Sequence, residues 1–177
     1  MSTTNLHLQK KLADGLISSE ELTSQANKLL ADNKLSEAYP YVKTVAMLST
    51  SSITDKMTAG ILAVSLQKNS DAFEFFSEIT KIEPLHYDAN YNLALIEINN
   101  QNYENAYKRV ETLLTKYPEN SELLNDLAVI ATHLNDSAKA FLSWEKALTI
   151  NPNDSIVRNN ALAYSLDNQF FKEANQL

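Results

Sequence analysis

Alanine recurs in this chain at Ala38, Ala72, Ala106, Ala140 and Ala174, always 34 residues apart, and Pro84, Pro118 and Pro152 keep the same spacing. A period of this length constrains the fold more than any other feature, because each unit must be a small supersecondary element that stacks on copies of itself. The units run 19–52, 53–86, 87–120 and 121–154, with a partial unit at 155–177. Four residues after the alanine stand Val42, Phe76, Val110 and Trp144, and three residues further on Val45, Ile79, Leu113 and Ala147. Intervals of three and four place these residues on one stripe of a helix. A second small position, Ala26, Gly60, Ala94 and Ala128, marks where two helices approach too closely for a longer side chain.

The punctuation predicts two helices per unit. Glu119-Asn120-Ser121 and Asn153-Asp154-Ser155 supply turn and cap chemistry just after a proline that stops the preceding helix. Ser18 followed by Glu21 reads as a capping box. Polar turns such as Asn99-Asn100-Gln101-Asn102 and Asn135-Asp136-Ser137 separate the helices within a unit. Pro40 falls inside the second helix of the first unit, where it removes a hydrogen bond and predicts a kink or a late start. Residues 1–18 lie outside the repeat. The helical spacing of Leu6, Leu8, Leu12 and Leu16 predicts a short capping helix there, with a disordered tail as the alternative. One helix pair is too small to bury its own stripe, so the pairs must stack. The expected class is all-α.

Composition narrows the function. Two glycines in 177 residues argue against an all-β fold and against glycine-rich phosphate loops. No cysteine is present, which excludes disulfides, thiolate zinc sites and a cysteine nucleophile. A net charge of −7 disfavours nucleic acid and anionic membrane as partners. No stretch is apolar enough for a signal peptide or a bilayer span, so no membrane insertion and a cytoplasmic location are expected.

The stretch Asn125-Asp126-Leu127-Ala128, Ala140, Trp144, Ala147-Leu148 and Asn151-Pro152 resembles the tetratricopeptide repeat at nearly every signature position. The resemblance covers residues 19–177 and implies a right-handed superhelical solenoid of stacked antiparallel helix pairs. Position 11 of each unit departs from it: the family has tyrosine there, and this chain has Leu29, Ala63, Glu97, Ala131 and Ser165. Thr50 stands in the first unit where proline is expected. The chain stops at Leu177, soon after Ala174 and inside an expected second helix, which suggests a longer protein or an end closed by self-association.

No catalytic constellation stands out. His7, His86 and His133 are widely separated and lack a helical partner histidine, so no metal site is expected. Neither glycine adjoins a serine as a nucleophile elbow requires. No cofactor is implied. Phe73, Phe75, Phe76, Tyr103, Tyr107 and Trp144 match packing positions between repeats and are assigned to the core.

The resemblance implies a concave groove lined by the first helices, and it places Met57, Thr58, Ile61, Tyr91, Asn92, Leu95, Ile98, Asn125, Asp126, Val129, Asn159 and Asn160 there. An asparagine amide both donates and accepts, so it pairs with the backbone of an extended peptide. A similar asparagine ladder occurs in the repeats of O-linked N-acetylglucosamine transferase; here Asp126 interrupts it. Domains of this family that grip the acidic tails of heat-shock chaperones carry cations at the groove positions occupied here by Met57, Asn92, Glu122 and Asp126. Together with Asp88 and Asp167, the acidic groups favour a neutral or basic segment.

The leading expectation is a non-enzymatic protein–protein interaction scaffold that binds a peptide or partner domain, either alone or as the N-terminal module of a longer protein. A chaperone similar to the small acidic tetratricopeptide chaperones of type III secretion is the alternative. Homo-oligomeric assembly through the unfinished last unit is a third reading.

Overall fold

A computed structural model of the protein describes residues 3–48 and 50–167. Among them are ten α-helices and no strand. Helix α1 spans Thr3–Ala13. The first helices of the repeats are α2 (Ser19–Ala31), α4 (Ile53–Ser65), α6 (Tyr87–Asn99), α8 (Ser121–His133) and α10 (Ser155–Asp167). The second helices are α3 (Leu35–Ala46), α5 (Asn69–Ile82), α7 (Tyr103–Lys116) and α9 (Ser137–Ile150). Every start in either series lies 34 residues from the next. Ala174 and the helix expected around it lie outside the described residues.

Local chemistry repeats at the same interval. Each first helix begins one residue after a side-chain acceptor. Ser18 and Ser52 form reciprocal capping boxes with Glu21 and Asp55. His86 accepts through Nδ1 from the Ala89 N–H, Asn120 accepts from Leu123, and Asp154 accepts from Ile156 and Val157. These caps satisfy amides that the first turn leaves without intrahelical partners. At the other end of α2, α4, α6 and α8 the chain turns through Asn33, Gln67, Gln101 and Asn135, all in the left-handed region with φ of 56–59°. The turn closes with paired bonds, such as Lys34 N to Leu29 O at 2.8 Å and Asn33 N to Leu30 O at 3.0 Å. This is the Schellman arrangement, normally built on glycine. The bonds recur at Lys68–Ala63, Asn102–Glu97 and Asp136–Ala131, so four non-glycine residues are held there by the same pattern.

The chain divides into two compact units, Met1–Ala89 and Asn90–Leu177. In the first, Ala38, Val42, Ala72, Phe76 and Ile79 are buried, together with Leu22, Ala26, Ala59 and Leu62 from the first helices. Gly60 faces Phe76 so closely that an added Cβ would lie 2.5 Å from Cε1 of the ring. Lys56 is also buried; it donates to the last carbonyls of α3 at Ala46 (3.0 Å) and to Glu78 of α5 (2.6 Å). Helix α3 is also shorter than its counterparts, with 12 residues whereas α5, α7 and α9 have 14.

Pro40 brings no late start, since α3 begins at Leu35. Helix α3 continues through it, and the Pro40 carbonyl is taken by Thr44 Oγ1 at 2.7 Å and Asn5 Nδ2 at 3.4 Å. Asn5 belongs to α1, which lies on α3 with Leu8 buried. The leucine stripe proposed for residues 6–16 does not form. Leu6 is 61% exposed and Leu16 72%, because the helix stops at Ala13 and Gly15 turns with φ +68°. A buried asparagine and one leucine seat this helix instead. Phe73 is likewise 39% exposed and is no core residue, whereas Phe75 and Phe76 are buried.

In the second unit, Leu124, Ala128, Ala140, Trp144, Ala147, Val157 and Ala161 form one cluster, with Tyr107, Phe141 and Tyr164 packed against it. Tyr103 stacks on His133 with ring centroids 4.3 Å apart. In the third repeat unit the residue at position 11, Glu97, is held in an ion pair. Glu97, 4% exposed, receives a forked pair of bonds from Arg109 Nε (3.0 Å) and Nη2 (2.7 Å), and Arg109 Nη1 donates to Asn90 at 3.1 Å. An ion pair here ties α6 to α7.

Two stability measurements follow from these contacts. Gly60→Ala gains about 1 kcal/mol of helix propensity. Phe76 is fully buried and cannot yield, so overpacking of about 1–3 kcal/mol prevails and the urea midpoint falls. Arg109→Ala strands the Glu97 carboxylate and costs about 3–5 kcal/mol, whereas the double change Glu97→Leu with Arg109→Leu recovers most of that loss.

Candidate functional site

The predicted groove residues fall on the first helices, and the two units are taken separately. In the first unit Met57 is half-buried on α4, Thr58 is exposed, and Ile61 is 51% exposed. The Thr58 hydroxyl donates to its own helix at Thr54 O, 2.9 Å away. No hydrogen bond draws these three side chains together.

The second unit brings more of them into register. Tyr91, Asn92, Leu95 and Ile98 lie on α6, Asn125, Asp126 and Val129 on α8, and Asn159 and Asn160 on α10. Leu95 is 41% exposed, while Tyr91, Asn92 and Ile98 are half-buried. Val129 packs against the Trp144 cluster, so it serves the core as well as the surface. Asn159 is exposed.

Two contacts join the three helices. The first centres on Asn125. Its Oδ1 accepts from the Trp144 indole N–H at 3.2 Å and from Asn160 Nδ2 at 3.0 Å. An indole can only donate, so Trp144 dictates which way the Asn125 amide faces. With that oxygen turned inward, the Asn125 Nδ2 faces away from the indole. Asn160 spends a donor on the same oxygen and is oriented in turn, leaving its Oδ1 unused by the protein among the described residues. A donor on α8 and an acceptor on α10 are thus left over from these two bonds.

The second contact is a hydrogen bond between the Tyr91 side chain and Asp126, which links α6 to α8. Burial pushes the Asp126 carboxyl up to about 6, the nearby Glu122 charge pushes in the same direction, and the bond to Tyr91 opposes both. Asp126 therefore marks the acidic point of this face and stays ionised at neutral pH.

Sequence reasoning missed the role of Trp144 in orienting Asn125. The signal was present in one unit, where an asparagine at position 5 and a tryptophan at position 24 stand 19 residues apart, but periodicity assigns tryptophan to packing alone. Among the described residues, no group of three or more histidine, aspartate or glutamate side chains is placed to hold a metal ion. No helix of the described residues is long and apolar enough to cross a membrane.

Comparison with solved structures places the fold. MamA, residues 41 to the end, from Desulfovibrio magneticus RS-1 superposes with a TM-score of 0.76 over 89% of each chain, at 17% identity. A tetratricopeptide repeat protein from Parabacteroides merdae reaches 0.78 over 89% of this chain and 63% of its own. The fold is that of the tetratricopeptide repeat. YrrB, described as a tetratricopeptide repeat protein with an unusual peptide-binding site, superposes at 0.69 over 81% of this chain and 74% of its own, at 12% identity. In sequence, the BBSome complex member bbs-4 of Caenorhabditis elegans is 26% identical over 103 residues, 58% of this chain. The match spans only 22% of that relative's length. No protein-family model matches the chain.

The Asp126 carboxyl gives a pH test. In the folded chain it keeps its proton up to about pH 6, whereas an unfolded aspartate loses it near pH 4. The folded state therefore binds more protons between these values, and its stability falls as pH rises through the window. Asp126→Asn removes this penalty while keeping an acceptor for Tyr91. Thermal melts should show it more stable than wild type by about 1–2 kcal/mol near pH 7.5, with the difference gone by about pH 4.

Proposed function

We propose that the chain is a non-enzymatic scaffold that holds an extended peptide segment on the first-helix face of its second unit. The observation that carries this reading is the oriented amide pair, Asn125 Nδ2 as donor and Asn160 Oδ1 as acceptor. A peptide backbone presents a carbonyl and an N–H at each residue, and the pair can take one of each. Because Trp144 and Asn125 already fix both amides, little rotamer freedom is lost on binding, which favours affinity.

Leu95 and Ile98 on α6 supply apolar contacts beside the clamp, and Tyr91 supplies a ring edge. Asp126 and Glu122 add negative charge on α8, so the face favours neutral or basic segments over acidic ones. The asparagine amides act on the main chain and are tolerant of sequence; the acidic groups provide the selection. The fold shared with YrrB, described as having a peptide-binding site, is compatible with this assignment.

The test is selection from a random-peptide library on the immobilised wild-type chain, followed by affinity measurement on variants. Asn160→Ala removes the acceptor and should weaken selected peptides about tenfold, the equivalent of one net hydrogen bond. Asn125→Asp keeps an oxygen for Trp144 and Asn160 but removes the donor. It also adds negative charge, which by itself would strengthen attraction to a basic peptide, so weaker binding isolates the lost N–H. Selected peptides should carry more lysine and arginine than aspartate and glutamate. Unchanged affinity in both variants would move the binding surface elsewhere.

A further inference from the structure

The first helices of the second unit repeat a polar residue at position 6, and the three residues found there differ in charge. Asn92 stands on α6, Asp126 on α8 and Asn160 on α10. An amide serves at this position on either side, yet α8 carries a carboxyl whose ionised form is opposed by burial and by the Glu122 charge. Such a group costs the folded chain stability. Groups of this kind concentrate where a ligand supplies the missing partner.

The fold offers this charge no counter-ion. Among the described residues no cation lies within ion-pair distance of Asp126 or Glu122. Helices α6 and α8 contain no lysine or arginine. Arg158 of α10 donates to the Pro152 carbonyl at 2.5 Å, and His133, in the last turn of α8, stacks on Tyr103. Glu97 is occupied by Arg109. The hydrogen bond from Tyr91 gives Asp126 a donor but no positive charge.

Apolar surface continues from the carboxylate along the helix axis. Val129 follows Asp126 by three residues and Leu95 follows Tyr91 by four, so both stand one turn beyond the Tyr91–Asp126 bond. Leu95 is 41% exposed and Val129 is half-buried. Glu122 is exposed one turn before Asp126. The order along α8 is therefore apolar, recessed acid, open acid, spread over about 10 Å. A lysine or arginine side chain has the matching order, an aliphatic stem and then a charge.

We propose that Asp126 anchors one lysine or arginine side chain of the bound peptide, with its stem on Leu95 and Val129 and its charge between Asp126 and Glu122. The inference rests on the peptide reading of this face and adds a position to it. Asp126 is bonded toward α6, whereas the adjacent Asn125 is bonded toward α10. The anchored residue therefore lies on the α6 side of the amide clamp. It is within about three residues of the clamped one, since an extended chain advances about 3.3 Å per residue and neighbouring helices pack about 8–10 Å apart. The site selects one basic residue at a fixed place rather than basic peptides in general.

A double-mutant cycle tests it. Peptides selected from the random library on wild type are aligned and made N-acetylated and C-amidated. The basic residue at their common position is then changed to norleucine, which keeps the stem of a lysine and removes its charge. Affinities are measured on wild type and on Asp126→Asn, a variant expected to fold at least as stably as wild type. The norleucine change should weaken binding to wild type about tenfold but to Asp126→Asn about twofold, the remainder coming from Glu122. Selected peptides with no shared basic position, or a norleucine loss equal on the two chains, would overturn the anchor; the clamp still stands if Asn160→Ala weakens the same peptides. A norleucine loss confined to wild type, with no effect of Asn160→Ala, keeps the anchor and removes the clamp. Failure to select any peptide overturns both.

Discussion

How closely two helix backbones approach decides whether such pairs can stack, and this chain sets that distance with side chains of one carbon or none. Ala38, Ala72, Ala106 and Ala140 on the second helices are fully buried, as are Ala59, Ala128 and Ala161 on the first. At Gly60 not even a methyl group fits beside Phe76. Large residues one turn away, Phe76, Val110 and Trp144, then fill the space the small ones leave. The stripe identified by periodicity is thus half of a paired pattern, in which each bulky residue depends on a small neighbour.

Polar groups inside this packing are paired with one another or with the backbone. Lys56 closes the carbonyl end of the short α3, Asn5 and Thr44 share the carbonyl of Pro40, and Glu97 with Arg109 fills a place the family gives to tyrosine. These interactions differ from unit to unit although the helix starts do not. A repeat repeats its backbone and its apolar spacing; its buried polar contacts are local solutions.

The fold was legible because its signals are local and periodic. Ser18, Asn120 and Asp154 announced helix starts from sequence, and the caps at Ser52 and His86 lie on the same 34-residue ladder. The misreadings share a cause. Leu6, Leu16 and Phe73 have apolar side chains at acceptable spacing, yet spacing carries no information on whether a neighbouring element covers them. Pro40 suggested a late start because its missing N–H is visible in sequence, whereas the contacts of its carbonyl, from Asn5 and from Thr44 one turn on, are not.

The site was legible only as a set of positions. Periodicity and resemblance named Asn125, Asn160, Tyr91 and Asp126, but not which bonds they make. From the sequence alone came the period, the two helices per unit, the small-residue approaches and the acidic balance, all of which depend on residues near one another in the chain. The tertiary structure alone decided that Trp144 turns the Asn125 amide, that Asn160 shares its oxygen, that burial raises the Asp126 carboxyl, and that α1 lies on α3 through Asn5. Those outcomes depend on direction and burial between helices, which no one-dimensional spacing specifies.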